Sequence, residues 1–256
     1  MKRNEEFPLE GHTALVTSSS RNLGAEIVRV LAASGANIIT TYFQSKSAAE
    51  ELLDEIADTP GTHSTVHGDT HSATTTCLLL ESAIAAAPET IDILVNNSGP
   101  FSMTPFTELP VDEWDRIWNG NVTAAFLATK MLAPQMRSLG WGRIINVSAG
   151  SAYLRNHSIY TIAKNAIITL TESMALELAP EITVNCIAPG QIVESADDIA
   201  EFDPSFVDRA IERTPAGRLV TRNEVAELLL SMCLPQFDMV TGTTIPIEGG
   251  WRINRF

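Results

Sequence analysis

The chain has 256 residues, 45% hydrophobic and 19% charged, the balance of a globular protein the size of one large α/β domain, with chain enough to bury a substantial core. Its net charge of −14 repels phosphate backbones and anionic bilayers, which excludes nucleic acid and membrane surfaces as partners. Cys77, Cys186 and Cys233 are odd in number, far apart and set in apolar stretches. Met1 to Glu10 is charged with no apolar leader, and no run nears the roughly 20 apolar residues of a membrane span. A reduced, cytoplasmic protein is expected.

Short β-branched runs alternate with helical patterns along the chain. Thr13 to Thr17 reads as a buried strand, Leu23 to Ala33 as a helix ended by Gly35, Ala36 to Tyr42 as a second strand and Ser45 to Ala57 as a helix. Ser64 to Asp69, Ala73 to Ala87 and Ile91 to Asn96 follow as strand, helix, strand. Val111 to Arg137 reads as one long helical region with Pro134 near its end. Arg143 to Ser148 is a fifth strand, Ile159 to Leu178 a helix and Ile182 to Ala188 a sixth strand. Asn223 to Cys233 is the last helix and Thr243 to Ile247 the last strand. Apolar strands separated by helices predict an α/β fold, a Rossmann-type doubly wound parallel sheet in a single domain over 1–256. Gln191 to Val220 is the least regular segment and a candidate lid over a cleft.

Ligands of such sheets bind beyond the carboxyl ends of the strands. The first loop there, Thr17-Ser18-Ser19-Ser20-Arg21-Asn22-Leu23-Gly24, opens a helix whose N–H groups can hold a pyrophosphate. Ser18 and Asn22 occupy positions usually filled by glycine. Asn tolerates left-handed geometry and Ser is small, so the turn is feasible. Further along, Tyr160 and Lys164 lie four apart, one turn apart on one helix face. An ammonium beside a phenol favours the phenolate and is expected to pull its pKa down from near 10 toward the working range, making an acid/base pair. His63, His67 and His71 are also four apart, but Thr65, Val66 and Gly68 between them read as strand and turn. No metal site is expected.

The chain resembles the short-chain dehydrogenase/reductase family, in particular its 3-oxoacyl-[acyl-carrier-protein]-reductase-like branch, nearly end to end. The landmarks in order are the Thr17-to-Gly24 loop, Asp69-Thr70, Asn96-Asn97-Ser98-Gly99, Asn121 in Asn-Val-Thr, Tyr160 with Lys164, Pro189-Gly190, and Glu248-Gly249-Gly250. The resemblance implies reduction of a small-molecule carbonyl, a ketone or 3-oxoacyl group, with a nicotinamide dinucleotide. It implies Tyr160 as proton donor, Lys164 as its partner and a ribose contact, and Asn121 as holder of a relay water. It also implies cofactor contacts at Thr17, Ser19, Ser20, Arg21, Asn22, Leu23, Gly24, Asp69, Thr70, Asn96, Ser98, Gly99, Pro189, Gly190 and Ile192. No acidic residue ends the second strand, where Thr41, Tyr42 and Phe43 stand, and Arg21 sits in the first loop. NADP(H) is therefore expected over NAD(H). The same resemblance implies a homotetramer or homodimer built on the Asn121 and Tyr160 helices, with Trp251 to Phe256 as a further patch.

Two positions depart from the family's pattern. Its carbonyl-orienting Ser aligns with Ala149. Ser148, the first choice to replace it, points to the other face unless a bulge intervenes; Ser151 or no serine are the alternatives. Glu194 stands where a Thr is common, and either meets the cofactor amide or substrate or faces solvent. Tyr153, Arg155 and His157 are candidates for the substrate mouth. Met103, Trp114 and Trp118 read as core or subunit contacts.

Overall fold

Each strand sends alternate side chains into one of two cores, and that alternation fixes the architecture. In the computed structural model, which describes residues 6–153, 158–200 and 203–253, Ala14 and Val16 of β1 (Thr13–Val16) enter one cluster and Leu15 the other. β2 (Asn37–Tyr42), β3 (His63–His67), β4 (Ile93–Asn96), β5 (Gly142–Val147), β6 (Ile182–Pro189) and β7 (Thr244–Ile247) complete a sheet of order β3-β2-β1-β4-β5-β6-β7. Every neighbouring pair is parallel. Parallel strands need crossovers, and helices on both faces supply them.

One face is covered by α1 (Asn22–Ala33), α2 (Lys46–Glu55) and α9 (Arg222–Cys233), which bury Ile27, Leu31, Leu52, Val225 and Leu229 against Val16, Ile38 and Val95. The other is covered by α3 (Ala73–Ala86), α5 (Ala124–Leu139) and α6 (Ile159–Leu178), with Leu80, Leu132, Met136 and Leu178 on Leu15, Leu94 and Ile144. Each such side chain, fully buried, stabilises the fold by roughly 1.5–3 kcal/mol. Among the described residues no helix is long and apolar enough to cross a membrane.

The structure corrects the elements in three places. The expected helix from Val111 to Arg137 is broken into α4 (Val111–Trp118), a π-helical turn Asn119–Thr123 and α5, which runs to Leu139 and stops at left-handed Gly140. The irregular segment after β6 holds two short helices, α7 (Val193–Ala200) and α8 (Phe206–Glu212), packed on each other. β3 ends at His67, two residues short of the expected Asp69, where the Asp69 carboxylate turns back to accept the His71 N–H at 2.8 Å.

Candidate active site

The strand order reverses between β1 and β4, and a cleft of about 410 Å³ opens beyond the carboxyl ends of β1, β2 and β4. Ser20, Arg21, Asn22, Leu23 and Gly24 line it with Asp69, Thr70, Ser98 and Gly99. Ser18 and Asn22 both adopt left-handed backbone, with φ of 52° and 54°, so the loop turns at the two positions where glycine was missing. Gly24 cannot be replaced so easily: a Cβ there would stand 2.7 Å from Ser19 Cα and 2.8 Å from the Ser18 carbonyl oxygen. No side chain caps α1 and no acid sits in its first turn. Its leading N–H groups are thus free to meet an anion, and the cleft fits a dinucleotide pyrophosphate.

Several expected cofactor contacts prove to be loop fasteners. The Thr17 hydroxyl accepts from the Asn97 and Ser98 backbone N–H groups, both at 3.0 Å. Ser19 is wholly buried; its hydroxyl donates to the Val16 carbonyl at 2.7 Å and accepts from Thr41 N at 3.2 Å. Asn96 donates to the Asn146 side chain at 2.8 Å, and Asn146 in turn to Thr171 Oγ1 at 2.9 Å, a buried ladder joining β4, β5 and α6. Asn97, a landmark residue given no role of its own in sequence, donates to the Thr17 and Ser18 carbonyls at 3.1 and 3.0 Å and pins the turn. The repeated Asn after the fourth strand was its signal. Pro189, Gly190 and Ile192 lie outside this cleft's walls. Gly190 donates to the Ile247 carbonyl, while Ile192 pairs with Val220 and accepts from Ser195 and Ala196.

Tyr160 enters on the first turn of α6, where the Ser158 hydroxyl caps the helix by accepting from Thr161 N at 3.2 Å. One turn on, the Lys164 ammonium lies 5.6 Å from the Tyr160 ring centroid and donates to the Val147 carbonyl at 2.9 Å. A Cβ on Gly99 would stand 2.7 Å from Lys164 Nζ and 3.1 Å from Asn121 Oδ1, so glycine is what lets the two groups converge. Asn121 sits in the π turn and donates to the Ile117 and Pro100 carbonyls at 2.9 and 3.0 Å. Its Oδ1 is buried with no partner, an acceptor beside an ammonium suited to one water.

The electrostatics reverse one expectation. Burial pushes the Tyr160 phenol up to about 12, and burial holds the Lys164 ammonium down at about 8. The cation lies over the ring rather than against the hydroxyl, and desolvation outweighs it.

Ser148 is also corrected. Its N–H continues the ladder to the Ile187 carbonyl at 2.8 Å, so no bulge intervenes, and its hydroxyl donates to the Lys164 carbonyl at 2.8 Å. Its hydroxyl is thus taken up by the backbone of α6. Ser151 lies on the 3-10 turn Gly150–Tyr153, which packs on α6, and its hydroxyl is buried without a partner. Glu194 is exposed and not among the residues lining the cleft, in keeping with the solvent-facing alternative, and both its oxygens accept from Arg222 N at 3.2 Å, at the start of α9. Cys186, unremarked in sequence beyond its burial, lies fully buried in β6, its thiol pushed up to about 11 by burial.

Of the substrate-mouth candidates, Tyr153 packs under Arg252 at 5.2 Å, while Arg155 and His157 lie outside the described residues. Trp114 and Trp118 stack in parallel at 6.4 Å, and Met103 is exposed. His63 and His71 are bonded to Thr59 and Asp69, His67 rests on Tyr42, and no metal-binding cluster occurs among the described residues.

A profile of the family described as Enoyl-(Acyl carrier protein) reductase matches residues 17–252. A 3-oxoacyl-[acyl-carrier-protein] reductase of Aquifex aeolicus is 33% identical over 255 residues, covering 96% of this chain and 99% of that protein. A short-chain dehydrogenase/reductase from Serratia marcescens superposes with a TM-score of 0.86 at 32% identity, covering 96% of this chain and 99% of that one. A gluconate 5-dehydrogenase from Burkholderia cenocepacia, solved in complex with NADP and tartrate, superposes at 0.88 with 27% identity, covering 98% and 99%.

Proposed function

The chain belongs to the short-chain dehydrogenase/reductase family of carbonyl and alcohol oxidoreductases that use a nicotinamide cofactor, and on that premise we propose that it is an NADPH-dependent reductase of a ketone or 3-oxoacyl carbonyl. The dinucleotide supplies the hydride when bound. The α1 N-terminus and the Ser20-to-Gly24 loop would hold its phosphates, with Asp69, Thr70, Ser98 and Gly99 along the groove and Lys164 on a ribose.

The observation that carries this reading is the Tyr160 phenol set one helical turn from the Lys164 ammonium, which lies 5.6 Å from its ring centroid, with the unpartnered Asn121 Oδ1 behind it. A protonated phenol is what reduction needs at the carbonyl oxygen, and burial pushes this one up. Lys164 and the unpartnered Asn121 Oδ1 would return the proton to Tyr160 through a water. Ser151, whose buried hydroxyl has no partner, is proposed to orient the carbonyl in place of Ala149.

NADP(H) over NAD(H) is supported by the end of β2, where Tyr42, Phe43, Gln44 and Ser45 line the cleft without a carboxylate, and by exposed Arg21 at its rim. Arg21 forms no ion pair among the described residues, which leaves it for a 2′-phosphate. We also propose a homotetramer or homodimer in the cytoplasm, acting on a small-molecule substrate. The segment from Gln191 to Val220, with α7 and α8, would be its lid.

Ala149 favours a second reading, a nucleotide-binding protein with weak or lost turnover. One experiment separates them. NADPH consumption is followed with a panel of ketones and 3-oxoacyl thioesters for the wild type and Tyr160→Phe, and cofactor binding by fluorescence. The expected result is a kcat some ~10²–10⁴-fold lower in the variant with unchanged cofactor affinity. Equal turnover by both proteins removes Tyr160 from the chemistry, and no turnover by either leaves the binding protein.

A further inference from the structure

The negative charge of the chain is unevenly spread, and much of it falls on two segments beside Tyr160. From Glu108 to Arg116 there are four acids against one base, and α4, which holds most of them, packs Ile117 with Ile159, Ala163 and Tyr160. From Gln191 to Val220 there are seven acids against three arginines. That segment leaves the carboxyl end of β6, against the Gly150–Tyr153 turn that packs on α6. Together the two segments carry half of the net charge of −14. Asp112, Asp115, Asp208 and Glu212 are all exposed. Arginines on this side are engaged by carboxylates of their own: Arg209 by Asp203, Arg218 by Glu224 at 2.6 Å and Arg252 by Glu248 at 3.8 Å. Arg21, by contrast, lines the cleft beyond β1.

We infer that this negative rim selects the substrate by charge: the site takes uncharged carbonyl compounds free of any carrier, and a 3-oxoacyl group borne on a phosphate-bearing handle such as coenzyme A is turned away. Like charges repel through water over a Debye length of about 10 Å at 0.1 M salt. A rim of several carboxylates therefore acts on a polyphosphate handle that stays outside while its acyl end enters. Such fields change the rate of productive encounter by about tenfold or more at low salt. The nicotinamide cofactor is itself an anion, but it would enter by another wall, where the uncapped N-terminus of α1 and Arg21 attract phosphates. The handle of a thioester would trail over α4 or the 191–220 segment instead, where the arginines named above already have their anions.

This inference rests on the reductase reading, and the test separates the two. Acetoacetyl-coenzyme A and S-acetoacetyl-N-acetylcysteamine present the same reacting group with and without the phosphates. Their kcat/KM values are measured at saturating NADPH, from about 20 mM to about 500 mM salt. The ratio of the two cancels any effect of salt on the cofactor. The wild type is expected to favour the N-acetylcysteamine thioester by about tenfold at low salt, with the gap closing to within about threefold at high salt. A variant combining Asp112→Asn, Asp115→Asn, Asp208→Asn and Glu212→Gln is expected to raise kcat/KM on the coenzyme A thioester several-fold at low salt and to leave the other within about twofold. Preference for the coenzyme A thioester at low salt overturns the inference. So does a gap that salt leaves unchanged, which would assign the discrimination to shape. Turnover of neither thioester, with cofactor bound, sinks the reductase reading on 3-oxoacyl groups and this inference with it.

Discussion

Lys164 and Ser151 show how much at this site hangs on single atoms. Lys164 donates to the Val147 carbonyl and is held down at about 8 by burial. Its charge is therefore fully present below that pH and lost above it, because the neutral amine is the form that burial favours. Since kcat/KM reports ionisations of the free enzyme, the profile for reduction is expected to be flat from about pH 6 to 7.5 and to fall above about 8. Tyr160, at about 12, should add no step in that range; a profile flat to pH 10 would free the reaction from the Lys164 charge. The serines make a paired prediction. Ser151→Ala should lower kcat by about 10–100-fold with little change in stability. Ser148→Ala should cost about 1 kcal/mol in urea unfolding, the bond to Lys164 O, with a smaller effect on kcat. The opposite pattern would return the carbonyl contact to Ser148. The alternation of β5 already pointed Ser148 away from the site in sequence. What sequence could not convey was the balance at Tyr160: i,i+4 spacing is legible, but the depth of burial that outweighs the neighbouring charge is a property of the packed fold.

Among the elements, α6 was legible to both ends because Ser158 starts it and a long apolar face sustains it. α7 and α8 were not. They are 8 and 7 residues long, too short for propensity to hold alone, and exist by packing on each other and on their stem. That stem is explicit: Val193 N donates to the Val220 carbonyl at 2.9 Å, the bridge Ile192–Val220 lies beneath it, and Glu194 clasps the N–H of Arg222. α9 has its own cap, with the Thr221 hydroxyl accepting from Glu224 N at 3.2 Å, so the Glu194 carboxylate serves the segment rather than the helix. Glu194→Ala is expected to raise KM for substrate several-fold and leave kcat and the α9 fold nearly intact. An unchanged KM would show that the segment does not cover the site.

At the scale of the whole molecule, a doubly wound parallel sheet covered on both faces follows from apolar strands separated by helices, and that was legible before any coordinate, whereas the strand order β3-β2-β1-β4-β5-β6-β7 came only with the structure. The proposed homotetramer or homodimer would be built on α5 and α6. α5 and α6 leave between them a cavity of about 450 Å³ lined by Phe126, Lys130, Pro134, Arg137, Leu170 and Glu177 among others, with Phe126 exposed by 44%. Apolar centre and charges of both signs suit a self-complementary contact. Phe126→Arg is expected to shift the protein to a smaller species in sedimentation equilibrium with its fold retained; an unchanged mass would move the interface elsewhere.

The π turn at Asn119–Thr123 acts as an angular offset in a continuous shaft. One additional residue in a turn rotates everything on one side by about 100° relative to the other. α4 aims Ile117 at the Tyr160 cluster while α5 aims Leu132 at the sheet. Removing one residue here would leave the sheet side in place, held by its larger core, and swing the Asn121 end out of phase. The chain length of this turn is thus a tuning parameter for the proposed proton path, set by counting residues rather than by choosing them.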